Sequence, residues 1–365
     1  WIVTSSTSIE WSIWFINSII KLSKMEKNVD YTSFNDSTNT EINELNEKAK
    51  KYSEKLGLVL DEVQKVIVGQ EQIQKKLLIA LIVDGHVLLE GLPGLAKTLM
   101  VKTLSDTINS KFVRIQFTPD LLPADIVGTK IFDNKRDSFV TKKGPIFHNL
   151  ILADEINRAP PKVQSALLEA MQEKQVTIHG DSFKLEKPFL VLATQNPIET
   201  EGTYKLPEAQ VDRFTFKLLI DYPSKDDEKD IIERYTQPTK PSANSVITDK
   251  EIIEIQDFNK TIYADEKIEE YVANIIDATR KPSDYEIDLN DMIEFGASPR
   301  ASIWLILTGK AHAMLNGRGF VIPEDIKSVA HDVLRHRITL TYEAEAEGMT
   351  TDRVIDIVME KIRSP

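Results

Sequence analysis

The residues whose types and spacing carry chemistry begin at Gly91-Leu92-Pro93-Gly94-Leu95-Ala96-Lys97-Thr98. An apolar run, His86-Val87-Leu88-Leu89-Glu90, precedes them, and a helical pattern from Thr98 to about Ile108, opening on Leu99, follows. Strand, glycine loop and helix form the context a phosphate-binding loop needs. The glycines let backbone N–H groups turn inward toward an anion, and the helix N-terminus adds partial positive charge. Lys97 would reach the β and γ phosphates, and Thr98 would offer its hydroxyl to Mg2+. The usual pattern has glycine where Ala96 stands, and alanine tolerates a left-handed backbone less easily. A glycine-rich turn with an incidental lysine is the plain alternative.

A second group follows in the order one mechanism requires. Phe147 to Ala153 is apolar and ends in Asp154-Glu155. Acidic residues at the C-terminal edge of such a strand lie beside the phosphate loop if the two strands are parallel neighbours. Asp154 would then hold Mg2+, directly or through water, and Glu155 would polarise the attacking water as general base. The apolar run Phe189–Thr194 ends in Gln195-Asn196-Pro197, where Asn196 could orient that water and sense the γ phosphate. Arg213 could reach a γ phosphate in a neighbouring subunit, and Arg158, just past the acidic pair, could do the same. For both, a solvated or salt-bridged surface arginine is the plain alternative. Ser298-Pro299-Arg300 starts a helix with a good N-cap and a good first residue, and Arg300 in its first turn could touch phosphate. The turn at Val68-Gly69 is equally well read as a plain helix start or as an adenine-side contact.

Several elements must position these residues. Residues 42–66 and the stretch with Ile73, Leu77, Leu78 and Leu81 show helical spacing. Lys111–Phe117 alternates as a strand, and Leu121–Gly128 is a helical turn ending at glycine. Thr129–Phe132 and Ser138–Thr141 flank a charged turn and predict a hairpin, with Asn134 available for a left-handed position. Gln175–Ile178 and Ser182–Leu185 predict a second hairpin, with His179 in its turn. Between them, Val163, Ala166, Leu167, Ala170 and Met171 form a core-facing helical stripe opened by Pro160-Pro161. Pro207–Phe214 reads as a short helix before the strand Phe216–Ile220. Composition shifts at Pro223-Ser224, after which helical patterns dominate. His331, Arg335, His336 and Arg337 read as a basic face that is solvated or interfacial rather than chemical.

The expected organisation is therefore an N-terminal extension over 1–45, an α/β domain over 46–223 and a helical domain over 224–365. Residues 1–24 hold three of the four tryptophans but are too short and too polar for a membrane span, and they lack the features of a signal peptide. They read as a wrongly extended start ahead of Met25, or as an interfacial anchor; residues 25–45 are polar and read as disordered. The net charge of −12 argues against nucleic acid as the main partner. The absence of cysteine excludes disulfides and thiolate metal sites.

Taken together, these motifs resemble the AAA+ ATPases, and within them the MoxR family. The resemblance covers roughly residues 50–365 and rests on five stretches: Gly91–Thr98, Leu152–Lys162, Ala193–Pro197, Val211–Phe214 and Gly296–Arg300. Ala96 is usual in that family. The resemblance implies an α/β P-loop core with a parallel sheet and β-hairpin inserts, followed by an all-α lid. It implies Walker A at Lys97 and Thr98, with Gly91, Pro93, Gly94, Leu95, Ala96 and Leu99 around the nucleotide, and Walker B at Asp154 and Glu155. It makes Asn196 sensor 1, Arg213 the arginine finger and Arg300 sensor 2. The hairpins at 129–141 and 175–185 stand where that clade carries its helix-2 insert and pre-sensor-1 hairpin. The implied activity is Mg2+-dependent ATP hydrolysis, to ADP and phosphate, that remodels or matures protein clients. The implied setting is a cytoplasmic hexameric ring acting with a von Willebrand factor A-domain partner. Two alternatives stand beside it. One is a nucleic-acid motor, favoured by Lys130, Lys135, Arg136, Lys142 and Lys143 of the first hairpin. The other is a nucleotide-dependent scaffold with little turnover, or a subunit whose chemistry lies in a partner.

Overall fold

The structure is a computed structural model that describes residues 34–365 apart from Pro93, Arg136 and residues 197–201, with the backbone alone for residues 34–41. The expectations for residues 1–24, and those for Pro93, Arg136 and Pro197, lie outside the described residues. Contacts divide the chain into Trp1–Glu44 and Leu45–Pro365, and the second unit carries the features described below.

The chain runs α1 (Phe34–Val66), α2 (Glu71–Ile82), β1 (Val87–Gly91), α3 (Lys97–Thr107), β2 (Phe112–Gln116), α4 (Pro123–Val127), β3 (Gly128–Asp133), β4 (Ser138–Lys143) and β5 (Leu150–Asp154). Then come α5 (Pro161–Glu173), β6 (Gln175–Ile178), β7 (Asp181–Lys184), β8 (Leu190–Gln195), α6 (Glu208–Val211) and β9 (Phe216–Ile220). The remainder is α7 (Lys225–Tyr235), α8 (Asp249–Thr261), α9 (Glu266–Arg280), β10 (Ile293–Phe295), α10 (Pro299–Leu315), α11 (Pro323–Leu334), β11 (Thr339–Leu340), α12 (Tyr342–Ala346) and α13 (Thr351–Lys361). One long helix covers the region read as one or two, and it starts at Phe34, inside the stretch expected to be disordered. The apolar spacing from Leu45 onward propagates a helix, and adding residues to an existing helix costs far less than nucleating one.

Five parallel strands make the central sheet, in the order β2-β5-β8-β1-β9. Successive side chains of a strand point to opposite faces, and the apolar runs of β5 and β8 sort accordingly. Leu150, Leu152, Leu190 and Leu192 join one buried cluster with α1, α2, α3 and the C-terminal helices. Ile151, Ala153, Val191 and Ala193 join a second cluster with α5 and Phe214. Burial on both faces is why these strands read as continuous rather than alternating runs. Each fully buried Leu or Ile contributes roughly 1.5–3 kcal/mol. The C-terminal helices share the first cluster with the sheet, so Leu45–Pro365 is one compact unit although its composition changes near residue 223.

Local chemistry sets the helix starts. Ser224 and Thr248 form capping boxes with Asp227 and Glu251, and Asp265 caps α9. Helix α9 buries Ile268, Tyr271, Val272, Ile275, Ile276 and Thr279, a stripe at helical spacing. Gly309 lies inside α10 where α11 packs against it: a Cβ would stand 2.6 Å from Ile326 Cδ1, which would have to shift.

Both hairpins form, as β3–β4 and β6–β7. Among the described residues of the first turn the left-handed one is Asp137 (φ 48), not Asn134; like asparagine, aspartate tolerates that conformation because its short side chain bonds nearby backbone. The hairpins brace each other through Lys130–Asp181 (2.8 Å) and Thr129–His179 (3.4 Å). Lys143 lies over the rings of Phe147 and Phe183. The outer part of β3–β4 carries an exposed edge-to-face pair, Phe132 and Phe139, with centroids 5.3 Å apart.

Of the basic residues 331–337, His331 stays partly exposed beside Asp356, but Arg335, His336 and Arg337 are not a solvated face. The Arg337 side chain is fully buried, Arg335 donates to Lys217 O (2.7 Å), and His336 bonds Phe214 O (3.0 Å). They fasten the end of α11 to β9 and the loop before it. Spacing alone missed this because the acceptors on Asp212, Phe214, Thr215 and Lys217 lie more than 100 residues away in sequence.

Candidate active site

The phosphate loop folds as its glycines and helix predict. Gly94 (φ 85) and Ala96 (φ 54) take left-handed conformations, and α3 begins at Lys97. Ala96 therefore carries the strain that glycine would avoid, of order 1 kcal/mol. Lys97 Nζ donates to Gly91 O at 2.6 Å, which closes the loop on itself. Burial lowers the Lys97 pKa, while the nearby carboxylates of Asp154 and Glu155 oppose the shift.

The acidic strand is parallel to the loop strand but is not its neighbour. Strand β8 lies between them, so its C-terminal end is inserted between the loop and the carboxylates. Gly94, Leu95, Ala96, Lys97, Thr98, Leu99, Asp154, Glu155 and Asn196 consequently line one cavity of about 450 Å3. Strand ends brought together at such an edge are where open α/β sheets hold ligands.

Three further residues at this site escaped the sequence reading. Thr194 Oγ1 donates to Asp154 Oδ1 (2.6 Å) and accepts from Glu155 N (2.8 Å). It thus orients both acids, with Glu155 itself left-handed at φ 56. Arg114 Nε and Nη2 both donate to Asp154 Oδ2, at 2.9 and 2.6 Å. Gln116 Nε2 donates to Glu155 Oε2 (2.8 Å), and Arg158 Nη1 donates to the same oxygen (2.9 Å). The signal was present as alternation: Arg114 and Gln116 are polar at i and i+2 near the end of β2. It becomes meaningful only once Gln116 is known to pair with Asp154 across the β2–β5 ladder.

A smaller cavity of about 140 Å3 shares Gly94, Leu95, Ala96 and Leu99 with the first and continues to Val66, Ile67, Val68, Gln70, Pro223, Ile231 and Tyr235. Its walls are mainly apolar, which suits a flat base. Val68 lines it. Gly69 does not, and its carbonyl accepts from Gln74 (2.7 Å). Gly91 likewise stays behind the main cavity, its carbonyl held by Lys97.

The arginines divide. Arg213 and Arg300 do not line the phosphate-loop cavity. They share a separate one of about 190 Å3 with Asp84, His86, Lys174 and Trp304. Arg213 donates to Leu168 O (3.0 Å), and its Nε is buried without a hydrogen-bond partner. Asp212 accepts from Ser298 Oγ (2.9 Å), Arg300 Nη1 (3.2 Å) and Arg337 Nε (2.8 Å). Ser298 therefore spends its hydroxyl on Asp212 and not on capping its helix. The helix end expected to let Arg300 touch bound phosphate is thereby tied to Asp212. Burial lowers Arg337 to about 10, against the pull of Asp212, and it stays charged at neutral pH.

The donor set fits a Mg2+-nucleotide. Thr98 and Asp154 line one cavity with oxygen atoms that would serve as ligands, and Mg2+ takes few protein carboxylates because phosphate and water fill the rest of its shell.

Comparison with known proteins agrees with this geometry. Residues 86–216 match the family described as ATPase family associated with various cellular activities (AAA), and residues 286–358 match the AAA lid domain. The chain is 47% identical over 307 residues to Chaperone MoxR1 of Mycobacterium tuberculosis, covering 83% of this chain and 81% of that protein. It is 43% identical over 312 residues to the Bacillus subtilis protein YeaC, covering 85% and 95%. A solved Cytophaga hutchinsonii structure superposes with a TM-score of 0.84 at 48% identity, covering 89% of this chain and 99% of that one. The parallel sheet, phosphate loop, acidic strand end and C-terminal helices thus have one common explanation: the chain belongs to the MoxR family of AAA+ ATPases.

Proposed function

We propose that this ATPase binds ATP with Mg2+ and hydrolyses it to ADP and phosphate in order to remodel or mature protein clients, as a cytoplasmic hexameric ring working with a von Willebrand factor A-domain protein. The observation that carries the reading is the convergence of Lys97, Thr98, Asp154, Glu155 and Asn196 on one cavity. The loop N–H groups and Lys97 hold the phosphates. Thr98 and Asp154 are the oxygen ligands that would hold Mg2+, which neutralises phosphate charge when bound. Glu155 takes a proton from the attacking water, and Asn196 orients that water. In this reading residues 46–223 are the nucleotide domain and 224–365 the lid. Arg213 serves the nucleotide of the next subunit, with Arg300 beside it, because neither lines the chain's own phosphate-loop cavity. The name of the Mycobacterium tuberculosis relative supports protein clients. No described helix is long and apolar enough to cross a membrane.

A nucleic-acid role draws on the lysines of β3–β4. The aromatic pair at that hairpin's exposed end and the acidic chain favour a polypeptide instead, and a salt-sensitive shift of labelled DNA would revive the alternative. The direct test is steady-state ATP hydrolysis against protein concentration, for the wild type and Arg213→Ala. Specific activity is expected to rise with concentration, and the variant to lose about 10^3-fold or more. Full activity of the variant would remove Arg213 from the shared site. Binding of ATP without turnover in either protein would favour a scaffold.

A further inference from the structure

The Arg114–Asp154 ion pair stands inside the cavity read above as the Mg2+-nucleotide site, and the reading assigns it no role. Both guanidinium contacts fall on a single oxygen, Oδ2, at 2.9 and 2.6 Å, while Thr194 donates to Oδ1 at 2.6 Å. A carboxylate has about four lone-pair positions, so these three donors leave little on Asp154 for a cation. The arginine is aimed by its own strand. Its Nη2 also donates to Gln116 Oε1 at 2.6 Å, and β2 runs parallel to β5 with Gln116 opposite Asp154. The pair is not sealed into the core. The Arg114 side chain is 48% exposed and lines the same cavity as Lys97 and Thr98, so the contact opens toward the site and not into packed protein.

We propose that Arg114 is a built-in competitor of the divalent cation at Asp154. Its guanidinium occupies the carboxylate oxygen a cation needs and repels a second positive charge placed beside it, so the ion pair and the bound cation exclude one another. The inference rests on the Mg2+-nucleotide reading of the cavity and adds a residue that sets how tightly the cation is held. Entry of the cation frees the guanidinium on the wall of the cavity it already lines. Because β2 leads through α4 into the β3–β4 hairpin, Arg114 stands at the start of the path from the metal site to that exposed aromatic pair.

The test measures cation binding and not turnover. The full chain, saturated with ADP in metal-free buffer, is titrated with Mn2+, and free Mn2+ is read by electron paramagnetic resonance. Fluorescent ADP in EDTA establishes saturation for each variant, so that lost phosphate contacts do not enter. Arg114→Ala is expected to bind Mn2+ about three- to tenfold more tightly than wild type, the range for a partly exposed ion pair with good geometry. Arg114→Lys keeps the charge without the fork and is expected in between; it decides the matter if thermal melts show the alanine variant unfolded. Equal affinity in the variants and wild type would overturn the proposal. Weaker Mn2+ binding by Arg114→Ala would also overturn it, by showing that the arginine positions Asp154 for the cation. Absence of Mn2+ binding in every form with ADP would overturn the Mg2+-nucleotide reading, and this inference with it.

Discussion

Asp212→Ala should destabilise the protein far more than loss of a surface carboxylate, because of what it leaves behind. Asp212 is the carboxylate facing Arg337, whose side chain is fully buried, and it is itself only 18% exposed. Removing it takes the one side-chain acceptor recorded for Arg337 Nε and leaves a guanidinium charge inside the protein. Breaking a buried pair by removing one partner costs about 3–5 kcal/mol. The low end applies, since the Arg337 Nη atoms keep main-chain carbonyls of Asp212, Phe214, Thr215 and Val333. Unfolding entropy of about 2.1 cal/mol/K per residue over about 320 residues gives roughly 0.7 kcal/mol/K. A loss of about 3 kcal/mol then lowers Tm by about 4 °C. Thermal melts followed by circular dichroism, with nucleotide absent and protein concentration fixed, read this directly. Asp257→Ala is the control: its pair with Lys260 is 2.8 Å long but 69% and 64% exposed, and no resolvable shift is expected. If Asp212→Ala melts within 1 °C of wild type, the argument from an uncompensated buried charge is wrong.

Two further outcomes follow from strain and from burial. Ala96→Gly should raise stability by about 0.5–1 kcal/mol and keep nucleotide affinity, because Ala96 sits at φ 54; a lower Tm would show that its methyl group contributes more than its backbone costs. His86 is held well below the usual imidazole pKa of 6.5, first by burial and then by the Lys174 ammonium. The unfolded chain therefore takes up the proton first, so the stability this histidine contributes is present above pH 6.5 and is lost as pH falls through the lower folded value. Urea titrations from pH 7 to pH 5 should show a steeper loss for wild type than for His86→Asn, and parallel slopes would refute the assignment.

How much of the site was legible depends on how local each piece is. Lys97, Thr98 and the left-handed Ala96 belong to eight consecutive residues, and backbone geometry places them with no help from the rest of the chain. The ends of β5 and β8 were legible as apolar runs that stop at polar residues. The hairpins were legible as alternation broken by a turn. Their approximate boundaries held because each is closed by hydrogen bonds between residues close in sequence.

Other features depend on which strand lies beside which. That β8 separates the acidic strand from the loop strand follows from the sheet order, and no residue of either strand encodes it alone. Arg114 and Gln116 look like ordinary edge-strand polar residues until β2 is set against β5. Arg300 starts a helix well suited to an anion, yet it donates to Asp212, 88 residues earlier, and does not line the phosphate-loop cavity. Arg337 reads as a surface cation, yet it is buried because three carbonyls and the Asp212 carboxylate from more than 100 residues away converge on it, together with the nearby Val333 carbonyl. The amino-acid sequence by itself determined the family, the phosphate loop and the acidic pair, since short-range sterics and periodicity specify them. Only the tertiary structure decided what each charged group faces, because electrostatic partners are chosen by distance in space and that distance does not exist until the sheet and helices have packed.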